Sequence, residues 1–509
     1  MIQLSYHRPS NQVIWSGEVQ ELPATIPDCR ILTPGVASAP LSLKGQIIAT
    51  RMGLPAYSPI MEDYDWPGRF SPFVHQKEMA AFLTLHPKAH NLAEPGTGKT
   101  MGVLWAADYL IRRGYIHKVL VVAPRSTLTP VWRDHIGTHF AGLRTSSVLY
   151  GTRVQRELAL QQDADFYIIN NEGVEIMLPS LLARNDIDLV VIDESHRYRS
   201  NTTVRFKSMK RLLQRVPSVW LCTGTPTPNA PTDAWAQQAL IGQPDCSLHG
   251  FKERTMMKVS MFRWVNRKGA EDQVSRLMTP AIRFKRDECI DLPPTQVIPI
   301  HVDLTAQQKK AATDIRNNLR AQIGDAHIDA VHEGALRTKL LQIFCGAVYD
   351  KAGETHKLDN HERVDFVKDL VDGSQAKLLI FAGYTSAVMA LSQLLAKDYA
   401  VATITGATTQ KQRDGIFSDF QNESEPRIIV ADPRTMAHGL TLTAADTIVW
   451  YGPVDSGDIY TQANARIVRP GQERKTMVYQ IWSDPLELEI FRRLEKKESL
   501  QGLVMDWVA

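Results

Sequence analysis

AEPGTGKT, Ala93–Thr100, followed by MGVLWAADYLI, Met101–Ile111, is the stretch whose reading decides how this chain folds. Gly96 and Gly98 let a backbone wrap closely around phosphate groups. The loop N–H groups and the N-terminus of the next helix supply a positive field there. Lys99 is spaced to reach the β- and γ-phosphates of a nucleotide, and the Thr100 hydroxyl to ligate Mg2+. Glu94, Pro95, Gly96, Thr97, Gly98, Lys99 and Thr100 are therefore the candidate ATP-binding residues. The competing reading is a chance glycine-rich turn. The helix-forming segment that follows, as the loop requires, speaks against it.

Outward from the loop, the acidic group DESH, Asp193–His196, ends the apolar run LVVID. A carboxylate pair at the end of such a strand suits nucleotide chemistry: Asp193 as a Mg2+ ligand, Glu194 to orient and polarise the attacking water. Taken alone, the pair would read as an exposed acidic turn; beside a phosphate loop it does not. VLVVAP (Val119–Pro124), FYIIN (Phe166–Asn170) and VWLCTG (Val219–Gly224) join LVVID as buried parallel strands. A second series, KLLIFAG (Lys377–Gly383), VATITG (Val401–Gly406), RIIVAD (Arg427–Asp432) and TIVWYG (Thr447–Gly452), implies a second α/β lobe.

The expected organisation is a strand-rich accessory element at 1–68, a first lobe at 69–230, a helical protrusion and linker at 231–365, and a second lobe at 366–509. The stretch Pro55–Pro72, rich in Pro, Asp, Tyr and Gly, reads as a linker. The accessory element carries none of the motifs. It reads either as an element that tunes substrate choice without serving basal activity or as one packed against the first lobe.

Composition excludes several classes. With 44% hydrophobic and 22% charged residues the chain is globular rather than disordered. A net charge of +3 gives no overall basic signature, so any nucleic-acid groove must concentrate its charge locally. Five dispersed cysteines, none in a C-x-x-C pair, suggest neither a disulfide framework nor a zinc site. No apolar run approaches ~18 residues, and the N-terminus lacks the apolar core of a signal peptide, so the expectation is a reducing, cytoplasmic setting and no membrane. The basic groups Lys207, Lys210, Arg211 and Arg283, Lys285, Arg286 read mostly as solvated faces, and Trp132, Trp235 and Trp264 as core.

Taken together, the motifs resemble the SWI/SNF family of helicase superfamily 2, across about residues 70–500. PFVHQ, Pro72–Gln76, is similar to the family segment whose glutamine reads the adenine edge, making Gln76 the candidate. VVAPRSTLTPVW, Val121–Trp132, resembles a block whose Pro-x-Ser turn touches the nucleic-acid backbone, which implies Pro124, Arg125 and Ser126. CTGTPTPN, Cys222–Asn229, resembles the Thr-Gly-Thr-Pro block that couples the nucleotide site to the nucleic-acid groove, through Thr223 and Gly224. In the second lobe LLIFAGY (Leu378–Tyr384) and AHGLTLTAAD (Ala437–Asp446) match family blocks. They imply Tyr384 and the preceding Thr435 as nucleic-acid contacts, and Gly439 as a nucleotide contact. QANARIVRPGQ, Gln462–Gln472, is the most family-specific stretch, with Gln462 toward the nucleotide and Arg466 and Arg469 as catalytic arginines. Three apart, the two arginines share a helix face, and an arginine at the γ-phosphate supplies ~10³–10⁵ in rate. DPLELEIFRRLEKK, Asp484–Lys497, resembles the closing helix, with Glu487 at its acidic position.

The sequence departs from the family at Ala437-His438 and Thr441, at Arg125 in place of an apolar residue, and at Arg199-Ser200. The resemblance implies an α/β fold of two RecA-like lobes with a P-loop nucleotide site in the cleft between them, a helical insertion, and ATP with Mg2+ as cofactors. It further implies a monomeric, small bacterial or phage-type motor in the bacterial or viral host cytoplasm, acting without sequence preference on double-stranded or branched DNA. Four activities are compatible: a duplex translocase that remodels DNA or protein–DNA complexes; a branch-migrating, annealing or strand-separating helicase at forks and junctions; the motor subunit of a restriction or defence complex; and a non-catalytic relic. The intact Lys99, Asp193, Glu194, Arg466 and Arg469 argue against the last.

Overall fold

The structure, a computed structural model, describes residues 2–496 apart from 228–229, 260–263, 286–288, 290–294, 319, 324–325, 330–332, 351, 375, 437–441, 469–471 and 473. The side chains of 126, 318, 320–323, 326–329 and 333 are likewise outside the described set. The chain divides into two compact units, 1–289 and 290–509.

The first unit is built on seven parallel strands. In spatial order they are Ala281–Ile282, Lys88–Asn91, Ser218–Cys222, Ile187–Asp193, Lys118–Ala123, Phe166–Asn170 and Ser146–Leu149. The inner strands Lys118–Ala123, Phe166–Asn170, Ile187–Asp193 and Ser218–Cys222 are nearly continuous apolar runs because both faces are covered. Side chains alternate between faces along a strand. Val119, Val121, Leu189, Val191 and Trp220 pack with helix Lys99–Arg112 on one side. Leu120, Val122, Val190, Ile192, Val219 and Leu221 meet helices Asn171–Ala183, Val204–Leu213 and Asp233–Ile241 on the other. Each fully buried side chain of this kind stabilises the fold by about 1.5–3 kcal/mol.

An antiparallel four-stranded sheet, ordered Gln3–His7, Gln12–Ser16, Val36–Pro40, Arg30–Thr33, precedes this core. Helix Leu43–Arg51 follows it. Trp15 is buried in the small sheet's own core, and its indole N–H donates to the Pro55 carbonyl at 2.9 Å. The stretch 55–72 is packed rather than free. Tyr64 donates to the buried Asp108 carboxylate at 2.6 Å, Trp105 donates to the Pro67 carbonyl at 2.8 Å, and Trp66 meets the Trp105 ring edge-on at 5.8 Å. Its aromatic residues seat it on helix Lys99–Arg112, which composition alone does not reveal.

Beyond Ile241 the first unit continues through helix Leu248–Thr255, a short hairpin of Met256–Lys258 with Trp264–Asn266, and helix Ala270–Leu277. Ala281–Ile282 then closes the sheet beside Lys88–Asn91. The second unit opens with strand Thr295–His301, which forms one edge of six parallel strands. Thr476–Trp482, Ala445–Trp450, Lys377–Phe381, Ile428–Ala431 and Val401–Ile404 follow in space. Helix Ala306–Asn318 and helix Glu333–Phe344 pack on one face, with Ile315, Leu340 and Phe344 against Phe381, Trp450 and Phe491. On the other face Leu378, Ile380, Val430 and Val449 meet helix His361–Gly373 and helix Thr385–Leu395. The mixed α/β expectation with two parallel sheets is what the chain adopts.

Candidate functional site

Because every strand of the first sheet runs the same way, the loops after its strands emerge along one carboxyl edge, where open α/β sheets bind ligands. The loop after Lys88–Asn91 is Leu92–Gly98, and it leads directly into helix Lys99–Arg112. Gly98 has a φ of +76°, the left-handed region that glycine enters at no steric cost. A Cβ there would lie 2.0 Å from the Gln76 amide nitrogen, so Gln76 packs directly against the phosphate loop. Gln76 is itself held by the Phe73 backbone N–H, which donates to its side-chain oxygen at 3.0 Å. The loop is internally braced: the Thr97 hydroxyl donates to the Glu94 carbonyl at 2.8 Å, and the Lys99 ammonium to the Ala93 carbonyl at 2.7 Å. Thr100 stands half-buried one residue further along the helix.

Two strands away, Ile187–Asp193 delivers the acidic pair. Asp193 is half-buried, accepts the Trp132 indole N–H at 3.1 Å, and caps its neighbour's backbone N–H at 3.1 Å. Burial, with the adjacent Glu194 charge, pushes the Asp193 carboxyl up to about 6, against the pull of Trp132 and of the Lys99 cation. Glu194 takes a φ of +53°, a turn that ends the strand abruptly. His196 Nδ1 lies 3.3 Å from the Glu194 carboxylate and 3.1 Å from the Thr223 hydroxyl.

The strand between, Ser218–Cys222, ends in Thr223-Gly224. Gly224 sits so close to the phosphate loop that a Cβ would fall 2.6 Å from Pro95 Cδ. Gln237, on helix Asp233–Ile241, ties the acidic turn to this block. Its oxygen accepts from the Ser195 hydroxyl at 2.9 Å, and its amide nitrogen donates to the Pro226 carbonyl at 2.6 Å. Pro124 and Arg125 follow the neighbouring strand Lys118–Ala123 on the same edge; Arg125 is exposed, and Ser126 is described by its backbone alone.

In the second unit, Tyr384 caps helix Thr385–Leu395 after strand Lys377–Phe381, half-buried. Thr435 follows Ile428–Ala431, and its hydroxyl donates to the Asp432 carbonyl at 2.6 Å. Gln462 and Arg466 are buried at the end of helix Gly457–Asn464. The Arg466 Nε donates to the Gln462 carbonyl at 2.9 Å, and the Arg466 carbonyl accepts from Leu442 N–H at 3.0 Å. Gly439 and Arg469 lie outside the described residues.

Four residues in the first unit's site were not assigned to it from the sequence: Trp132, His196, Gln237 and His75, whose Nε2 lies 2.8 Å from the Thr97 carbonyl oxygen. His196 and His75 sit inside quoted motifs, which was the available signal. Trp132 ends the quoted block Val121–Trp132, where it reads as core, and Gln237 reaches the site only through packing.

The donor set suits a hard divalent cation: a threonine hydroxyl and a half-buried carboxylate whose charge desolvation disfavours. Against known proteins, the family model of the SNF2-related domain matches residues 75–345 and that of the helicase conserved C-terminal domain matches 362–471. The chain is 25% identical over 447 residues to the ISWI chromatin-remodeling complex ATPase CHR17 of Arabidopsis thaliana, covering 81% of this chain and 40% of that one. It is 24% identical over 431 residues to the DNA annealing helicase and endonuclease ZRANB3 of Mus musculus, covering 81% and 38%. Protein p41 of Acyrthosiphon pisum secondary endosymbiont phage 1 is 21% identical over 471 residues, covering 86% and 98%. The chain thus spans well under half of the first and second of these relatives. A solved SWI2/SNF2 ATPase core of Sulfolobus solfataricus in complex with dsDNA aligns at 19% identity and a TM-score of 0.42, covering 84% of this chain and 92% of that one. Among the described residues no helix is long and apolar enough to cross a membrane.

Proposed function

Because this chain belongs to the SNF2-related family of helicase-like ATPases, we propose that it hydrolyses ATP to move along double-stranded DNA and so remodels DNA or protein–DNA complexes. One observation carries the reading. At a single sheet edge, Gly224 abuts Pro95 of the phosphate loop, and Thr223 reaches the acidic turn through His196. A change at the nucleotide is thereby transmitted to a turn that lies beside the Pro124–Ser126 loop, where a nucleic-acid strand would be gripped.

In this reading the loop N–H groups, Lys99 and the helix N-terminus hold the ATP phosphates, and Gln76 contacts the base. Glu194 orients the attacking water and takes its proton. Thr100 and Asp193 are the proposed ligands of Mg2+, which when bound neutralises phosphate charge. Arg466 and Arg469, with Gln462 and Gly439, are the second unit's proposed contribution to charge stabilisation at the nucleotide. Pro124, Arg125, Ser126, Thr223, Gly224, Tyr384 and Thr435 are the proposed nucleic-acid contacts. Backbone contacts carry no base information, so binding is sequence-independent and falls steeply with salt.

The departures at Arg125, Ala437-His438 and Thr441 favour a second reading, in which forked or branched DNA is the substrate and the chain anneals or migrates junctions. A motor subunit of a restriction or defence complex is the third. The test is ATP turnover with duplex, forked and single-stranded DNA and RNA side by side, together with displacement of a triplex-forming strand. Strong stimulation by plain duplex, with third-strand displacement and no unwinding, is expected. Stimulation by forks alone moves the assignment to the second reading, and stimulation by RNA alone overturns both.

A further inference from the structure

Arg125, exposed at the carboxyl edge of the first sheet, lies over the ring of Tyr150. Its guanidinium carbon lies 4.9 Å from the centroid of the Tyr150 ring. The two residues follow different strands: Arg125 comes after Lys118–Ala123 and Tyr150 after Ser146–Leu149, with Phe166–Asn170 between them. The contact therefore spans the carboxyl edge of three neighbouring strands.

The backbone on either side of the ring is pinned. Buried Arg156 donates to the carbonyls on both sides of Tyr150, to Leu149 at 2.7 Å and Gly151 at 3.0 Å, and to the Asn170 side-chain oxygen at 3.0 Å. Tyr150 still exposes 41% of its surface, and Arg125 is exposed. Among the described residues Arg125 makes no hydrogen bond and no ion pair. The acidic group joined to this cluster, Glu172, accepts from Asn170 and is paired with Arg205 at 2.8 Å. Two helices start beside the pair. Arg153–Gln161 begins three residues after Tyr150, and Asn171–Ala183 starts immediately after Asn170. Both polar atoms of the buried Asn171 side chain lack a hydrogen-bond partner among the described residues.

A guanidinium held over a ring without hydrogen bonds keeps N–H groups available, and its edge matches a phosphate bidentately. Holding the side chain in place beforehand lowers the entropy lost on binding. We propose that Arg125, seated on Tyr150, is a preorganised contact for a backbone phosphate of the nucleic-acid strand, with Tyr150 as its positioning residue. This rests on the nucleic-acid-dependent reading given above. It extends that reading by assigning Tyr150 and Arg156 to the track and by making Arg125 a determinant of affinity.

The test is binding of a fluorescently labelled duplex by the full chain, measured by anisotropy across a salt series, for wild type, Arg125→Leu, Tyr150→Ala, Tyr150→Phe and the double variant Arg125→Leu/Tyr150→Ala. Arg125→Leu should weaken binding and reduce the slope of log affinity against log salt by about one. Tyr150→Ala should weaken binding a few-fold while leaving the slope intact, since the charge remains. Tyr150→Phe should bind like wild type, and the double variant should be no worse than Arg125→Leu alone. Wild-type affinity and slope in Arg125→Leu would overturn the proposal, as would additive losses in the double variant. If the wild-type chain binds no nucleic acid at all, the broader reading fails instead.

Discussion

Asp193, half-buried beside another carboxylate, carries an electrostatic cost in the folded state. Its folded value of about 6 lies above its ordinary 3.8, so the native chain holds a proton that the unfolded chain releases across that window. Stability therefore rises as pH falls through the window, and the cost is fully present above pH 6. Asp193→Asn should raise the melting temperature of the nucleotide-free protein by a few degrees at neutral pH, for about 1–3 kcal/mol. The gain should shrink toward zero on acidification below 6, while hydrolysis is lost. Calorimetry at several pH values checks this, and a gain that is independent of pH would refute the electrostatic account. At the same scale, Lys99→Ala should weaken binding of a fluorescent ATP analogue. Glu194→Gln should leave that binding intact, yet lower turnover by about 10²–10⁴-fold. Substantial hydrolysis by either variant removes these residues from the assignment.

At the scale of elements, the site depends on turns pressed against each other. Gly224→Ala introduces a Cβ 2.6 Å from Pro95 Cδ, so the phosphate loop must shift although residue 224 is not part of it. Nucleotide affinity should fall, and adding Pro95→Ala should restore part of it. If titration shows no loss in Gly224→Ala, the two blocks are not mechanically joined. In the second unit, four elements meet at Arg363. It donates to the Tyr451 carbonyl at 2.6 Å, to the Ser483 hydroxyl at 2.8 Å, and to the buried Glu487 carboxylate of the closing helix Pro485–Glu495. Glu487→Ala leaves that guanidinium buried without its counter-charge and should cost about 3–5 kcal/mol. Replacing both partners by apolar residues, Arg363→Met with Glu487→Leu, should recover much of the loss in denaturant unfolding.

At the scale of the whole molecule, the first 65 residues are packed onto the first lobe. Leu43, Ile60 and Tyr64 belong to the same core as Leu104, Trp105 and Tyr109. Deleting residues 1–65 should therefore uncover a large apolar surface, lowering the melting temperature by many degrees or the solubility outright. An unchanged melting temperature with intact basal turnover would instead make the segment an independent module.

What the sequence by itself determined is local: the phosphate loop, the acidic pair and the strands with apolar runs, but not Lys88–Asn91, a strand of sequence KAHN, nor the packing of 55–72. The phosphate loop is legible because close approach to phosphate demands glycine and lysine at fixed offsets. The strands are legible because burial on both faces demands unbroken apolar runs such as Val119–Ala123 and Leu189–Ile192. The acidic pair is legible because it ends one of those runs. Tertiary structure alone decided which runs lie side by side, and so which loops meet. Nothing in the chain order places Ala281–Ile282 beside Lys88–Asn91, or lets the Phe284 carbonyl accept the Glu94 N–H at 3.0 Å. The bond from Trp132 to Asp193 spans 61 positions, and the pairing of Arg363 with Glu487 spans 124. Such contacts have no periodicity to betray them. They exist because a parallel sheet gathers distant strand ends on one edge, and packing then selects which side chains touch.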